Sequence, residues 1–186
     1  FAFVSGEYDT AFDEYFKLIG IPCRETKRRC GYTTWYNYYG NITENIVNND
    51  LNSIINQEVK FDCFQIDDGY QQHIGDWLIT DTNKFPNGMK VIADKIHESG
   101  MIAGLWLAPF AGVPSSELFK NHPDWFIKDK NGKPYKTGHN WGGFYSLDIY
   151  NQGARDYIKH CFDVVLNEWG YDLVKLDFLY GACVLP

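Results

Sequence analysis

Apolar positions recur along this chain in two rhythms, and their alternation outlines its elements. Val47, Leu51, Ile54 and Ile55 fall on one helical face behind Thr43, whose side chain can accept from free first-turn amides, so a helix starting near residue 43 is predicted. Met89, Ile92, Ala93 and Ile96 repeat the pattern behind Asn87, a second expected cap, and Gly100 ends that run. Ala154, Tyr157, Ile158, Cys161, Phe162 and Val165 make the most regular stripe, stopped by Gly170. Short apolar runs at residues 61–66, 101–107 and 173–176 lack helical spacing and read as buried strands. Residues 31–39, dense in Thr, Trp and Tyr, read as a strand entering a loop. Residues 108–150 are rich in Gly, Pro, Asn and Trp and read as an elaborated loop with a helical piece near residues 116–121. Loops of that length are usually functional.

Strands that alternate with helices, each nearly all apolar, imply a parallel sheet covered by helices, hence an α/β protein. Four such steps suit either an open sheet or part of a (β/α)8 barrel, which takes about 200 to over 400 residues when complete. The 186 residues of this chain fall short of most complete barrels. No internal repeat or low-complexity tract interrupts the pattern.

Charge removes some functions from consideration. With 17 Lys and Arg against 24 Asp and Glu the net charge is −7, and the basic run Lys27-Arg28-Arg29 is short, so no stripe suited to phosphate backbones is present. No window has the roughly 18 consecutive apolar residues of a membrane span, and no export leader is read. The cysteines at 23, 30, 63, 161 and 183 form no CxxC pair and leave one over under any pairing. A disulfide framework is not expected, and a reducing, cytoplasmic setting is. The five histidines show no HExxH spacing and Gly142-Gly143 does not join a strand to a helix, so neither a metal site nor a nucleotide cofactor is expected. Aromatic residues reach 17%, enough to raise sugar stacking beside ordinary packing.

Candidate chemistry gathers at strand ends. Lys175 and Asp177 are two apart and so project from one face of a strand near its end. A cation beside a carboxylate keeps it ionised, which suits a nucleophile; an internal salt bridge is the plainer reading. Asp67 and Asp68 precede Gly69 at another strand end. Together they can accept several hydroxyl hydrogen bonds, although Asp-Asp-Gly is also common turn chemistry and a metal would want more oxygen ligands. Trp35 and Trp106 stand near the ends of two further strands, as core residues or as platforms for a sugar ring. Tyr36, Tyr38, Trp125 and Trp141 could join them.

Six segments, taken in order, resemble the retaining α-galactosidases of glycoside hydrolase family 36, the melibiase type. They are GYTTWYNYY at 31–39, FQIDDGYQ at 64–71, KFPNGM at 84–89, GLWLAPF at 104–110, HPDW at 122–125 and VKLDFLY at 174–180. The resemblance implies the N-terminal half of a (β/α)8 barrel over residues 30–186, with residues 1–29 leading into it. It implies Asp177 as the nucleophile that becomes galactosylated, Lys175 as a ligand to a nearby sugar hydroxyl, and Asp67 and Asp68 as ligands to the axial O4 and to O6 of galactose. Trp35 and Trp106 would shape and stack the pocket. The acid/base that a retaining enzyme also needs is expected beyond Pro186, in the second half of the barrel, so the 186 residues alone are expected to be an inactive fragment. No cofactor is implied. A half barrel leaves sheet edges open, which a second copy could close. A raffinose-synthase-type galactosyl transferase, an α-N-acetylgalactosaminidase and a non-catalytic galactoside binder remain as alternatives.

Overall fold

The computed structural model describes residues 4–20 and 28–184; Cys23, Lys27 and Pro186 lie outside the described residues. Helix α1 (Tyr8–Ile19) comes first and has no buried residue. Strand β1 (Gly31–Thr33) leads into the short helix α2 (Trp35–Tyr38), followed by α3 (Glu44–Ile55), β2 (Cys63–Ile66), α4 (Gly88–Glu98) and β3 (Ile102–Leu107). After these come β4 (Ala111–Gly112), α5 (Glu117–Asn121), β5 (Lys136–Gly138), β6 (Phe144–Ser146), α6 (Gln152–Asp163) and β7 (Leu173–Leu176).

The strands β1, β2, β3 and β7 form one sheet in that order, every neighbouring pair parallel. The order follows the chain and never reverses, so these four strands contain no switch point of the doubly wound kind. Their two faces differ in chemistry. Phe64, Ile66, Ala103, Leu105 and Leu107 point to one side and are buried with Val47, Leu51, Met89, Ile92, Ile96, Cys161 and Val165 from the helices. That side is the core, and its apolar periodicity is what makes the elements amphipathic. The register Thr33↔Gln65↔Gly104 and Trp106↔Lys175 places Thr33, Gln65, Asp67, Trp106, Lys175 and Asp177 on the other side. Glycine is needed in that row: a Cβ on Gly104 would lie 3.0 Å from Gln65 Cγ, so the Gln65 side chain passes over β3 only because position 104 is bare.

Three local expectations change. The strand read over residues 31–39 stops at Thr33. There Thr34 donates its N–H to Gln65 O and accepts from Asp67 N–H at 3.0 Å, and the aromatic run turns into α2. Asn87 does not cap α4 with its side chain; its Nδ2 donates instead to the buried Glu44 at 2.9 Å, tying α4 to the start of α3. The segment 108–150 contains a small antiparallel sheet in the order β4-β6-β5 besides the expected short helix. Thr43 accepts from Ile46 N–H and caps α3 as the sequence suggests. Among the described residues Cys30, Cys63, Cys161 and Cys183 are free thiols, and no helix is long and apolar enough to cross a membrane.

Candidate active site

Asp67 and Asp68 follow directly on β2, whose four residues are all buried, so the chain delivers them to the end of the sheet with little freedom. Gly69 turns the chain there with φ 119°, and a Cβ would lie 2.5 Å from Gly40 O; only glycine fits so close an approach. Lys84 Nζ pins the turn by donating to Gly40 O at 3.0 Å and to Gly69 O at 3.1 Å.

Asp67 is 2% exposed, and a charge so buried requires partners. Its Oδ2 accepts from Lys175 Nζ at 2.8 Å, from Gln65 Nε2 at 3.0 Å and from Thr33 Oγ1 at 3.4 Å, while Oδ1 accepts from Asp68 N–H at 3.0 Å. Asp68 accepts from Gln71 Nε2 at 2.6 Å on Oδ1 and from Trp141 Nε1 at 3.1 Å on Oδ2. Burial pushes the Asp68 carboxyl above the usual range; the bonds from Gln71 and Trp141 oppose that, the charge of Asp67 adds to it, and Lys84 opposes it.

Asp177 lies one residue past β7, its N–H still on the ladder through Leu107 O at 2.9 Å. Trp106 Nε1 donates to its Oδ2 at 3.1 Å and the Phe178 N–H donates to its Oδ1 at 2.8 Å. Phe178 reaches that position with a left-handed backbone, φ 52° and ψ 28°. Two fixed donors, one on each oxygen, hold the carboxylate in a single orientation.

Of the six residues the sequence singled out, five are joined by hydrogen bonds: Lys175 to Asp67, Asp67 to Asp68, and Trp106 to Asp177. The two groups meet through Trp141, whose ring centroid is 6.2 Å from that of Trp106. Trp35, on α2 with its ring 5.2 Å from Tyr39, lies outside this chain of bonds. Trp106 is 1% exposed and packs edge-on to Trp77, so it meets the site through its N–H and not through an open ring face. Gln65 and Gln71 are carboxylate donors that sequence reasoning missed. Their placement two residues before Asp67 and three after Asp68 is the only signal that could have shown them.

A cavity of about 580 Å³ adjoins the constellation, lined among others by Asp68, Gln71, His73, Lys84, Lys136 and Trp141, and not by Asp67, Lys175 or Asp177. The Asp177 side belongs instead to β7, which pairs only with β3 among the described residues and leaves Leu173 and Leu176 exposed. No group of three or more His, Cys, Asp or Glu among the described residues is arranged to hold a metal ion.

The parallel sheet thus gathers carboxylates at its C-terminal strand ends, with a lysine bonded to one and an indole donor on each of two, the end at which barrel-type α/β enzymes build their sites. The melibiase family model matches residues 24–180, and the chain belongs to that family. It is 36% identical over 121 residues to an α-galactosidase of Escherichia coli, covering 61% of this chain and 16% of that protein. It is 34% identical over 124 residues to an A type blood α-D-galactosamine galactosaminidase of Flavonifractor plautii, covering 62% of this chain and 11% of the relative. Among solved structures, an α-galactosidase from Thermus thermophilus in complex with p-nitrophenyl α-D-galactopyranoside superposes with a TM-score of 0.83 at 38% identity. That match covers 96% of this chain and 36% of the other. The chain therefore spans about a third of the solved relative and less than a fifth of these two curated ones.

Proposed function

We propose that this chain supplies the galactose-recognising and nucleophilic part of a retaining α-galactosidase. Its parallel sheet would form the N-terminal half of a (β/α)8 barrel within a longer polypeptide. The observation that carries this reading is Asp177, placed just past a parallel strand with one donor on each oxygen. The unreversed strand order and the limited share of each relative that the chain covers support the barrel half.

In this mechanism Asp177 attacks the anomeric carbon of a terminal α-linked galactose as the bond to the leaving oxygen breaks, giving a covalent galactosyl ester that water then hydrolyses. Lys175 neutralises Asp67 and lies two residues before the nucleophile, near enough to bind a sugar hydroxyl. Asp68 and Asp67 accept from the axial O4 and from O6, and the axial O4 is what separates galactose from glucose. Trp35 would shape the pocket from the end of β1. The carboxyl that protonates the leaving oxygen, about 5–5.5 Å from the nucleophile in retaining enzymes, comes from outside these residues. The 186 residues alone then bind galactosides weakly and turn none over. Free thiols at four described cysteines support a reducing, cytoplasmic setting.

The test is hydrolysis by the full-length protein of matched p-nitrophenyl glycosides. The α-galactoside should be cleaved far faster than the α-glucoside, and equal rates would contradict the role of Asp67 and Asp68. The F. plautii relative favours one second reading, removal of a galactosamine-type sugar, and faster cleavage of an α-N-acetylgalactosaminide would choose it. The open β7 edge would lead the isolated chain to pair with a second copy; a folded monomer at micromolar concentration in sedimentation would reject that pairing.

A further inference from the structure

Trp141 meets Asp68 directly and also meets both groups that donate to Asp177, yet the chemistry above gives it no role. Its Nε1 donates to Asp68 Oδ2 at 3.1 Å. Its ring centroid lies 4.6 Å from that of Phe178 and 6.2 Å from that of Trp106. Phe178 holds Asp177 Oδ1 through its backbone N–H, and Trp106 holds Oδ2 through its indole. Each oxygen of the nucleophile is thus fixed by a group that itself rests against Trp141.

The backbone carries an independent sign. Trp141 has φ 54° and ψ 31°, a left-handed conformation that an L residue with a bulky side chain adopts only where its surroundings over-determine it. Tyr39, Trp141 and Phe178 are the non-glycine residues described with positive φ, and two of the three are this contacting pair. Gly143, two residues on, has φ 118°, a backbone conformation that L side chains rarely adopt. Phe144, at 5.5 Å between centroids, backs the indole from β6. The short antiparallel sheet therefore presents one strained aromatic residue to the strand ends of the main sheet.

We propose that Trp141 is a positioning residue of the galactosidase site: its N–H aims Asp68, and its ring seats Phe178 and Trp106, so the carboxylate that reads galactose and the nucleophile are held as one unit. The inference rests on the function proposed for this same site. A donor to a buried carboxylate also favours its ionised form, so removing the N–H changes more than direction. The charged groups that act on Asp68 are Asp67 and Lys84, and His73 and Lys136 line the adjoining cavity.

Two variants of the full-length protein separate the two contacts. Trp141→Phe keeps a ring and loses the donor; KM for an α-galactoside should rise about tenfold while kcat changes less than about twofold. Trp141→Ala also removes the support behind Asp177, and kcat should fall a further tenfold or so. In an Asp68→Ala background the Trp141→Phe penalty should disappear, because the donor has no acceptor left. A readout that needs no turnover is the ¹³C NMR titration of Asp68 in substrate-free protein, which should move to higher pH in Trp141→Phe. An additive double variant, a Trp141→Ala kcat equal to that of Trp141→Phe, or an unmoved Asp68 titration would each overturn the proposal. A wild-type protein inert on α-galactosides would contradict the proposed function instead, and the Asp68 titration would still decide the role of Trp141.

Discussion

Asp68 and Asp177 are both carboxylates with an N–H donor on each oxygen, but they stand on strands in opposite circumstances. Asp68 follows β2, which is paired on both sides and buried along its whole length. Asp177 follows β7, paired on one side among the described residues, with apolar side chains left in solvent. Under the proposed mechanism, recognition would rest on a strand paired on both sides, and attack on an open edge. The donors seen on Asp67, Asp68 and Asp177 all come from residues within this chain, so what differs is the strand beneath them: β2 is paired on both sides, and β7 on one side among the described residues.

Substitutions can sharpen that contrast in the full-length protein. The largest effect is expected from Asp177→Asn, which keeps shape and loses the attacking charge: kcat should fall by about a thousandfold or more with KM little changed. On the buried side, Asp68→Ala should act mainly through KM and lower kcat/KM by about a hundredfold, as the loss of one or two charge-assisted hydrogen bonds to sugar would give. Similar kinetic signatures from both variants would erase the division between recognition and attack.

Stability should divide along the same line. Gly69→Ala meets Gly40 O at 2.5 Å as well as an unfavourable φ, and denaturant unfolding should show a loss of about 2–4 kcal/mol. Gly170, just before β7, has φ 80° and open space around it, so Gly170→Ala should lose only about 1 kcal/mol. Lys175→Met tests the bond that crosses between the regions. Asp67 would keep Gln65, Thr33 and the Asp68 N–H, and Lys175 is 40% exposed, so a loss of about 1–3 kcal/mol is expected in the same measurement.

The smallest effect is a pH dependence. Burial raises the folded-state pKa of Asp68 above the ordinary carboxyl value of about 3.8, so between the two the native state holds more protons than the unfolded chain. The contribution of Asp68 to stability is thus full below 3.8 and is lost as pH rises through the folded value. Thermal melts across that acidic window should show wild type losing more stability with rising pH than Asp68→Ala; parallel curves would contradict it.

Much of this fold was legible because burial imposes a period. The stripes behind Thr43 and Asn87 lie on an apolar face that must meet another element, so their spacing carries the information. The small antiparallel sheet was not legible, since its strands of two or three residues are too short to show any period. Residues 35–38 read as strand from their aromatic content, but the Thr34 hydroxyl bonded to Asp67 ends β1 there, a long-range contact that no local pattern contains. The same limit applies at the site. Asp67, Asp68, Lys175 and Asp177 stand out because charges at strand ends are unusual, whereas Gln65, Gln71 and Trp141 gain meaning only from what they touch.

The central claim is that Asp177 attacks a galactoside, and it is tested most directly by intact-protein mass after incubation of the full-length protein with an α-galactoside bearing a strongly activated leaving group. A gain of one hexosyl unit that maps to Asp177 and is absent in Asp177→Asn is the expected result. A hexosyl group on another residue, or turnover that survives in Asp177→Asn, would contradict the account.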